Sequence, residues 1–188
     1  QKEERVAASK VFDFNPSAPV ADRKDFIEAL RSALYAAKII SYAQGFSLIK
    51  TAGEENKWNL NLGGIALLWR GGCIIRSAFL DKISQAFTAD PALKNLILDP
   101  YFSRILTETQ QQLREVVAAA ALNGIPTPSL GAALSWFDSY RTENLPANLL
   151  QAQRDYFGAH TYERVDSPRG QFFHTNWTGR GGNTASTT

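Results

Sequence analysis

A stretch of roughly thirty residues starting near Asp22 constrains the whole chain, because it reads as one helix that protein must surround. Phe26, Ile27, Leu30 and Leu34 recur at the spacing of a single helical face. An acidic residue at Asp22 or Asp25 suits the helix start, where unpaired backbone N–H groups concentrate positive potential. From Leu34 to Phe46 the apolar residues fall on nearly every side, as in a helix at the centre of a core. The pattern runs past Ser47 to about Ala52, and at about 1.5 Å per residue such a helix is about 45 Å long. A lone domain of 188 residues does not readily cover that length. Part of the helix is therefore expected to lie against a second subunit.

With 44% hydrophobic residues the chain can bury one sizeable core but hardly two. Its 20 basic and 18 acidic residues leave a net charge of +2, too balanced to argue for a nucleic-acid or membrane surface. Arg164, Arg169 and Arg180 are scattered and form no nucleic-acid motif. The single cysteine, Cys73, rules out an internal disulfide and suits a reducing compartment; its apolar neighbours make it a buried small residue. No basic-plus-apolar leader and no uncharged apolar run of bilayer length occur, so the expectation is a soluble, cytoplasmic protein without nucleic-acid or membrane partners. The chain opens inside a charged helical sequence and contains no Met, which suggests a fragment.

Residues 2–10 read as a helix remnant and 11–21, with Pro16 and Pro19, as a linker. After the long helix, Asn61 is a candidate N-cap for a short helix reaching Trp69, and a further helix is expected from about Cys73 to Phe87. Arg70 and Arg76 flank Gly71-Gly72 between them. Close packing permitted by glycine, with the arginines paired to carboxylates, is favoured there over an anion nest. Asp90-Pro91 and Asp99-Pro100 each match a helix start, an acidic cap followed by proline, the second leading a helix over 101–122. Its stripe of Leu106, Leu113, Val117 and Ala120 faces inward, and Asn123-Gly124 ends it. A helix over 130–140 follows, with Trp136, Phe137 and Tyr140 as core.

The last helical pattern begins at Pro146, with Leu149, Leu150, Ala152 and Phe157 as its buried side. Gly158 suits the left-handed conformation that closes a helix, so His160 leaves at an angle that lets it converge with Arg154. A guanidinium is a permanent planar cation for phosphate or carboxylate, and an imidazole can donate to a sugar hydroxyl or carboxylate, so the pair suits a small anionic ligand. The bland alternative is an arginine favouring the helix dipole and a satisfied turn histidine. Beyond them, strand-like residues flank the turn Ser167-Pro168-Arg169-Gly170, and residues 179–188 are small and polar. Phe172, Phe173 and Trp177 need a surface, for which a partner subunit is the preferred source, while His174 reads as structural. No glycine fingerprint follows a strand, and no metal-ligand spacing or nucleophile with a base is present.

The run QAQRDYFGAHTYER (151–164), with PANLL before it and FFHTNWTG (172–179) after it, resembles the C-terminal signature of the 6-phosphogluconate dehydrogenases, decarboxylating enzymes of the pentose phosphate pathway. The likeness extends through ALYAAKIISYAQGF (33–46), GGIALLWRGGCIIRSAFLDKI (63–83) and NGIPTPSL (123–130). It implies an all-α, multi-helix domain over residues 1–160, with one long central helix, and an extended irregular tail over 161–188 that reaches the partner of a homodimer. It also implies that the NADP-binding Rossmann domain, the lysine base and the glutamate acid lie upstream of Gln1, leaving no catalytic residue here and the fragment alone inactive. Arg154 would bind the phosphate of 6-phosphogluconate and His160 its sugar acid, both in the partner's site; no metal is implied, and no residue is assigned to the coenzyme. The parent reaction would be oxidation at the C3 hydroxyl, loss of carbon dioxide from the 3-keto acid and tautomerisation to ribulose 5-phosphate. The alternative is a stand-alone helical dimerisation module without activity.

Overall fold

A computed structural model describes residues 1–16 and 22–179. Part of the expected linker (17–21) and of the tail (180–188, with Arg180) lies outside the described residues. The described chain is all-helical but for one short hairpin: α1 (Lys2–Val11), α2 (Arg23–Glu55), α3 (Leu62–Leu68), α4 (Leu80–Ala89), a 3₁₀ turn (Leu96–Leu98), α5 (Pro100–Leu122), α6 (Pro128–Tyr140), α7 (Ala147–Gly158), and strands β1 (Tyr162–Glu163) and β2 (Phe172–Phe173). It divides into two compact units, Gln1–Phe137 and the residues from Asp138 onward.

The long helix of the first unit is α2, capped by Asp22, whose carboxylate accepts from the Lys24 N–H at 2.8 Å. Its buried residues Ala33, Ala36, Ala37, Ile39, Ile40, Ala43 and Phe46 cover the span predicted to be enclosed. On its other flank Ile27, Leu30, Leu34 and Leu48 remain exposed. The helix packs chiefly against α5, which buries Phe102, Leu106, Leu113, Val116 and Ala120. Small alanines on α2 let the backbones approach, while aromatic rings fill the ends of the contact. Phe79 meets Tyr35, Tyr42 and Phe102 edge-on at 6.1, 5.0 and 6.2 Å between centroids, and Phe46 lies 5.7 Å from Trp69 and 5.3 Å from Phe87. Burial of each such ring stabilises by about 1.5–3 kcal/mol. Burial and a hydrogen bond with Tyr101 push the Tyr35 phenol up to about 12, so it stays a neutral core group.

Side-chain caps set the starts of α2, α3 and α5. Asn61 accepts from the Gly64 N–H at 2.9 Å, and Asp99 accepts from Tyr101 and Phe102 with Pro100 at the first helical position. Several expectations fail. The helix expected from Cys73 begins only at Leu80, because the residues before it are tied to α2: the Tyr42 hydroxyl donates to the Ile75 carbonyl at 2.6 Å and the Lys38 ammonium to the Ser77 hydroxyl at 3.1 Å. These bonds compete with a helical ladder, Ile74 is left fully exposed, and Cys73 is half-buried rather than buried. Asp90-Pro91 is a turn, not a helix start: Asp90 closes α4 and its carboxylate accepts from the Ala92 N–H. At the end of α6, Phe137 is core and Trp136 packs against it, but Tyr140 is exposed. Arg70 pairs with Asp81 at 3.0 Å as expected, but Gly72 serves a turn with a φ of +67° and Gly71 and Gly72 both face open space, so the close packing favoured from sequence between Arg70 and Arg76 is not found there. No helix among the described residues is long and apolar enough to cross a membrane.

Candidate functional site

The second unit is built on α7, which starts after Pro146 with no side-chain cap. Its expected buried side is not buried. Leu149 and Phe157 are each 75% exposed, Leu150 is exposed and Ala152 half-buried, because no element of this unit stands over that face. The one buried residue of α7 is a carboxylate, Asp155, with no exposure at all.

Asp155 holds the rest of the unit together. Its Oδ1 accepts from the Thr161 N–H at 3.0 Å and stands 2.9 Å from His174 Nδ1; its Oδ2 accepts from the Thr175 N–H and the Trp177 indole Nε1, both at 2.9 Å. Burial by itself would raise its pKa, but the bonds from Thr175, His174 and Trp177 outweigh it and hold the group at about 2. The carboxylate is thus ionised and fully satisfied, the condition under which a buried charge is tolerated. The tail returns to this point through the hairpin expected from sequence, with Tyr162 paired to Phe173 and Glu163 to Phe172. Gly170 (φ +87°) makes the turn, and Glu163 accepts from its N–H at 2.6 Å while pairing with Arg169 at 2.7 Å. Arg164 pairs with Asp166 and lies over the Phe173 ring. Of the three aromatics expected to lack a surface, Phe173 packs on Tyr162 within its own unit, Trp177 binds Asp155 through its indole N–H yet stays exposed, and Phe172 is exposed.

Arg154 and His160 both stand exposed at the C-terminal end of α7. The Arg154 guanidinium donates to the Gln151 amide oxygen at 2.5 Å, a neutral partner that leaves its charge uncompensated. His160 does not leave the helix by the expected route. Gly158 stays helical, and the left-handed residues are Ala159 (φ 50°) and Thr161 (φ 59°), on either side of His160. Glycine at 158 has another cause: a Cβ there would lie 2.6 Å from His160 Nε2, so the imidazole rests on the bare backbone of Gly158. Among the described residues no hydrogen bond joins Arg154 to His160; each turns back on its own element and keeps donors free for a ligand. A groove of about 290 Å³ lined by Asn148, Gln151, Ala152, Tyr162, Glu163, Val165 and Trp177 includes neither residue of the pair, although Gln151, the partner of Arg154, is in its wall. No cluster of three His, Cys, Asp or Glu side chains among the described residues is placed to hold a metal ion. Asp155 was missed in the sequence, although one signal was there: an acidic residue in the last turn of a helix opposes the helix dipole and needs another reason to sit there.

The described fold is thus all-α but for one short hairpin, and its last helix brings an exposed guanidinium and an exposed imidazole close in sequence to a buried carboxylate. The chain belongs to the 6-phosphogluconate dehydrogenase family, matching the description "6-phosphogluconate dehydrogenase, C-terminal domain" over residues 1–177. It is 59% identical over 187 residues to a decarboxylating 6-phosphogluconate dehydrogenase of Haemophilus ducreyi, a match covering 100% of this chain and 39% of that protein. It is 58% identical over 188 residues to its counterpart in Ceratitis capitata, with the same coverage. The solved 6-phosphogluconate dehydrogenase of Plasmodium falciparum, known in its apo form and with NADP+ and 6-phosphogluconate, superposes with a TM-score of 0.87 at 46% identity, over 94% of this chain and 38% of that one. The chain thus spans about two-fifths of the length of these relatives.

Proposed function

We propose that this chain works as the C-terminal part of an NADP-dependent, decarboxylating 6-phosphogluconate dehydrogenase of the cytoplasm, assembled as a homodimer. In that setting Arg154 holds the substrate phosphate and His160 the sugar acid, in the partner subunit's site. The observation that carries the reading is an uncompensated guanidinium beside an exposed imidazole, both within the matched segment. Arg154 is a fork of five donors whose one hydrogen-bond partner among the described residues is a neutral amide, so a phosphate gains charge-assisted bonds without breaking an ion pair among them. His160 donates to a carboxylate or hydroxyl of the same substrate. NADP supplies the hydride acceptor for the whole reaction. The strands described here are a two-residue antiparallel pair, which does not provide the parallel strand, turn and helix of a dinucleotide site. This segment therefore acts on the substrate, and its part is to hold the phosphate in register while chemistry proceeds at the other end. The exposed apolar residues of α2 and α7 support the dimer.

In the full-length enzyme Arg154→Ala removes charge-assisted bonds worth about 1.5–3 kcal/mol, a loss of roughly ten- to more than a hundredfold in kcat/KM. Steady-state kinetics at varied 6-phosphogluconate measure it, and an unchanged kcat/KM would overturn the role given to Arg154.

A further inference from the structure

Asp155 does more than close the tail onto α7. Its backbone carbonyl accepts from the Ala159 N–H and its carboxylate from the Thr161 N–H, at 2.9 and 3.0 Å. The Gly158–Ala159 and His160–Thr161 peptide units, which bracket the turn at His160, are therefore fixed to one residue. Ala159 and Thr161 both have positive φ, a conformation that residues with a Cβ keep only where the surroundings enforce it. Arg154 is the adjacent residue on the same helical turn, so the helix that seats the carboxylate also sets the direction of the guanidinium. The remaining three donors, from His174, Thr175 and Trp177, fill the other positions of the carboxylate and lock it. An ionised group in the last turn opposes the helix dipole, and nothing about α7 as a helix calls for it.

We infer that Asp155 is a positioning residue for 6-phosphogluconate binding, fixing Arg154 and His160 relative to each other through its bonds to Thr161 and the returning tail. The inference rests on the role proposed above for that pair. An asparagine at 155 replaces an acceptor oxygen by an amide that points donors at donors, on either side. Thr161, and His160 with it, is then released, or the tail is.

The test uses full-length protein without coenzyme, titrated calorimetrically with 6-phosphogluconate, with KM for substrate and coenzyme measured in parallel. Asp155→Asn is expected to weaken substrate binding by about ten- to a hundredfold, as small misplacements of binding groups do, with the KM for coenzyme nearly unchanged. Combined with Arg154→Ala, its effect should be far from multiplicative, because a displaced guanidinium has little left to lose. Substrate affinity per folded molecule equal to wild type, with only a lower melting temperature, would make Asp155 merely structural and overturn the inference. So would independent, multiplying penalties in the double variant. If Asp155→Asn does not fold, Trp177→Phe removes a single donor and is judged on the same affinity, a rise of about two- to fivefold in Kd being expected and no change overturning it. Arg154→Ala alone separates the two ideas: if it leaves affinity intact, the role of the pair fails, whereas weak binding there with normal binding by Asp155→Asn sinks Asp155 alone.

Discussion

Gly158 and His160 make the smallest testable unit of the site. Gly158 is helical, so alanine fits its backbone and gains a fraction of the roughly 1 kcal/mol by which alanine exceeds glycine in helices. The new methyl would stand 2.6 Å from His160 Nε2, and the exposed ring can swing away at little cost. Gly158→Ala should therefore leave the melting temperature equal or slightly higher while raising the KM for 6-phosphogluconate in the full-length enzyme; unaltered KM would mean the ring position does not matter. Asp155 makes a prediction about pH. Its folded pKa, about 2, lies below its ordinary 3.8, so its contribution is fully present above pH 4 and fades as pH falls through about 2. That difference is on the order of 2–3 kcal/mol. Trp177 fluorescence or proteolysis of the tail should show it held from pH 7 down to about 4 and released only below. Release centred well above pH 4 would rule out Asp155 as the controlling group.

On α7, residues about 100° apart in succession place Leu149, Leu150, Tyr156 and Phe157 in one exposed stripe, with Asp155 on the opposite side and Arg154 at the stripe's edge. A second subunit over this stripe would bring Arg154 to the border of the interface, where a pair acting on the partner's site has to be. Each fully covered large side chain contributes about 1.5–3 kcal/mol, so Leu150→Asp with Phe157→Asp should raise the dimer dissociation constant by well over tenfold. Sedimentation of the full-length protein across a dilution series measures this, and an unshifted constant would place the interface elsewhere. The caps at Asp22, Asn61 and Asp99, and the inward stripe of α5, were legible in the sequence because capping and periodicity are local. The turn at Asp90 and the delayed start of α4 were not. The Asp90 turn rests on a local bond from the Ala92 N–H, while the delayed start depends on bonds such as Tyr42 to Ile75, formed between residues distant in the chain. Asp155 escaped for the same reason, since three of its donors come from around twenty residues downstream. The apolar residues of α7 were read as a buried side, and within this unit Leu149, Leu150 and Phe157 are exposed.

At the scale of the whole molecule, the segment spans about two-fifths of its relatives' length, and under the proposed function it brings binding groups to a lysine base and glutamate acid expected elsewhere in the full-length protein. Whether Arg154 and His160 serve their own subunit or its partner is decided by mixing. One full-length variant carries Arg154→Ala and His160→Ala; another keeps both residues but lacks the lysine base. Each alone should be nearly inactive. After joint unfolding and refolding of equal amounts, random pairing in a two-fold dimer makes half the molecules hybrids. In a hybrid, the subunit with the intact base borrows the intact pair of its partner and works, while the other site has lost both. One site in two, in half the dimers, gives roughly a quarter of wild-type activity if pairing is random. A pair acting within its own subunit leaves a defect in every site of every dimer. A mixture no more active than its parents, with hybrids shown by mass spectrometry to have formed, would place Arg154 and His160 in their own subunit's site and remove the reason for setting the guanidinium at the rim of the α7 stripe.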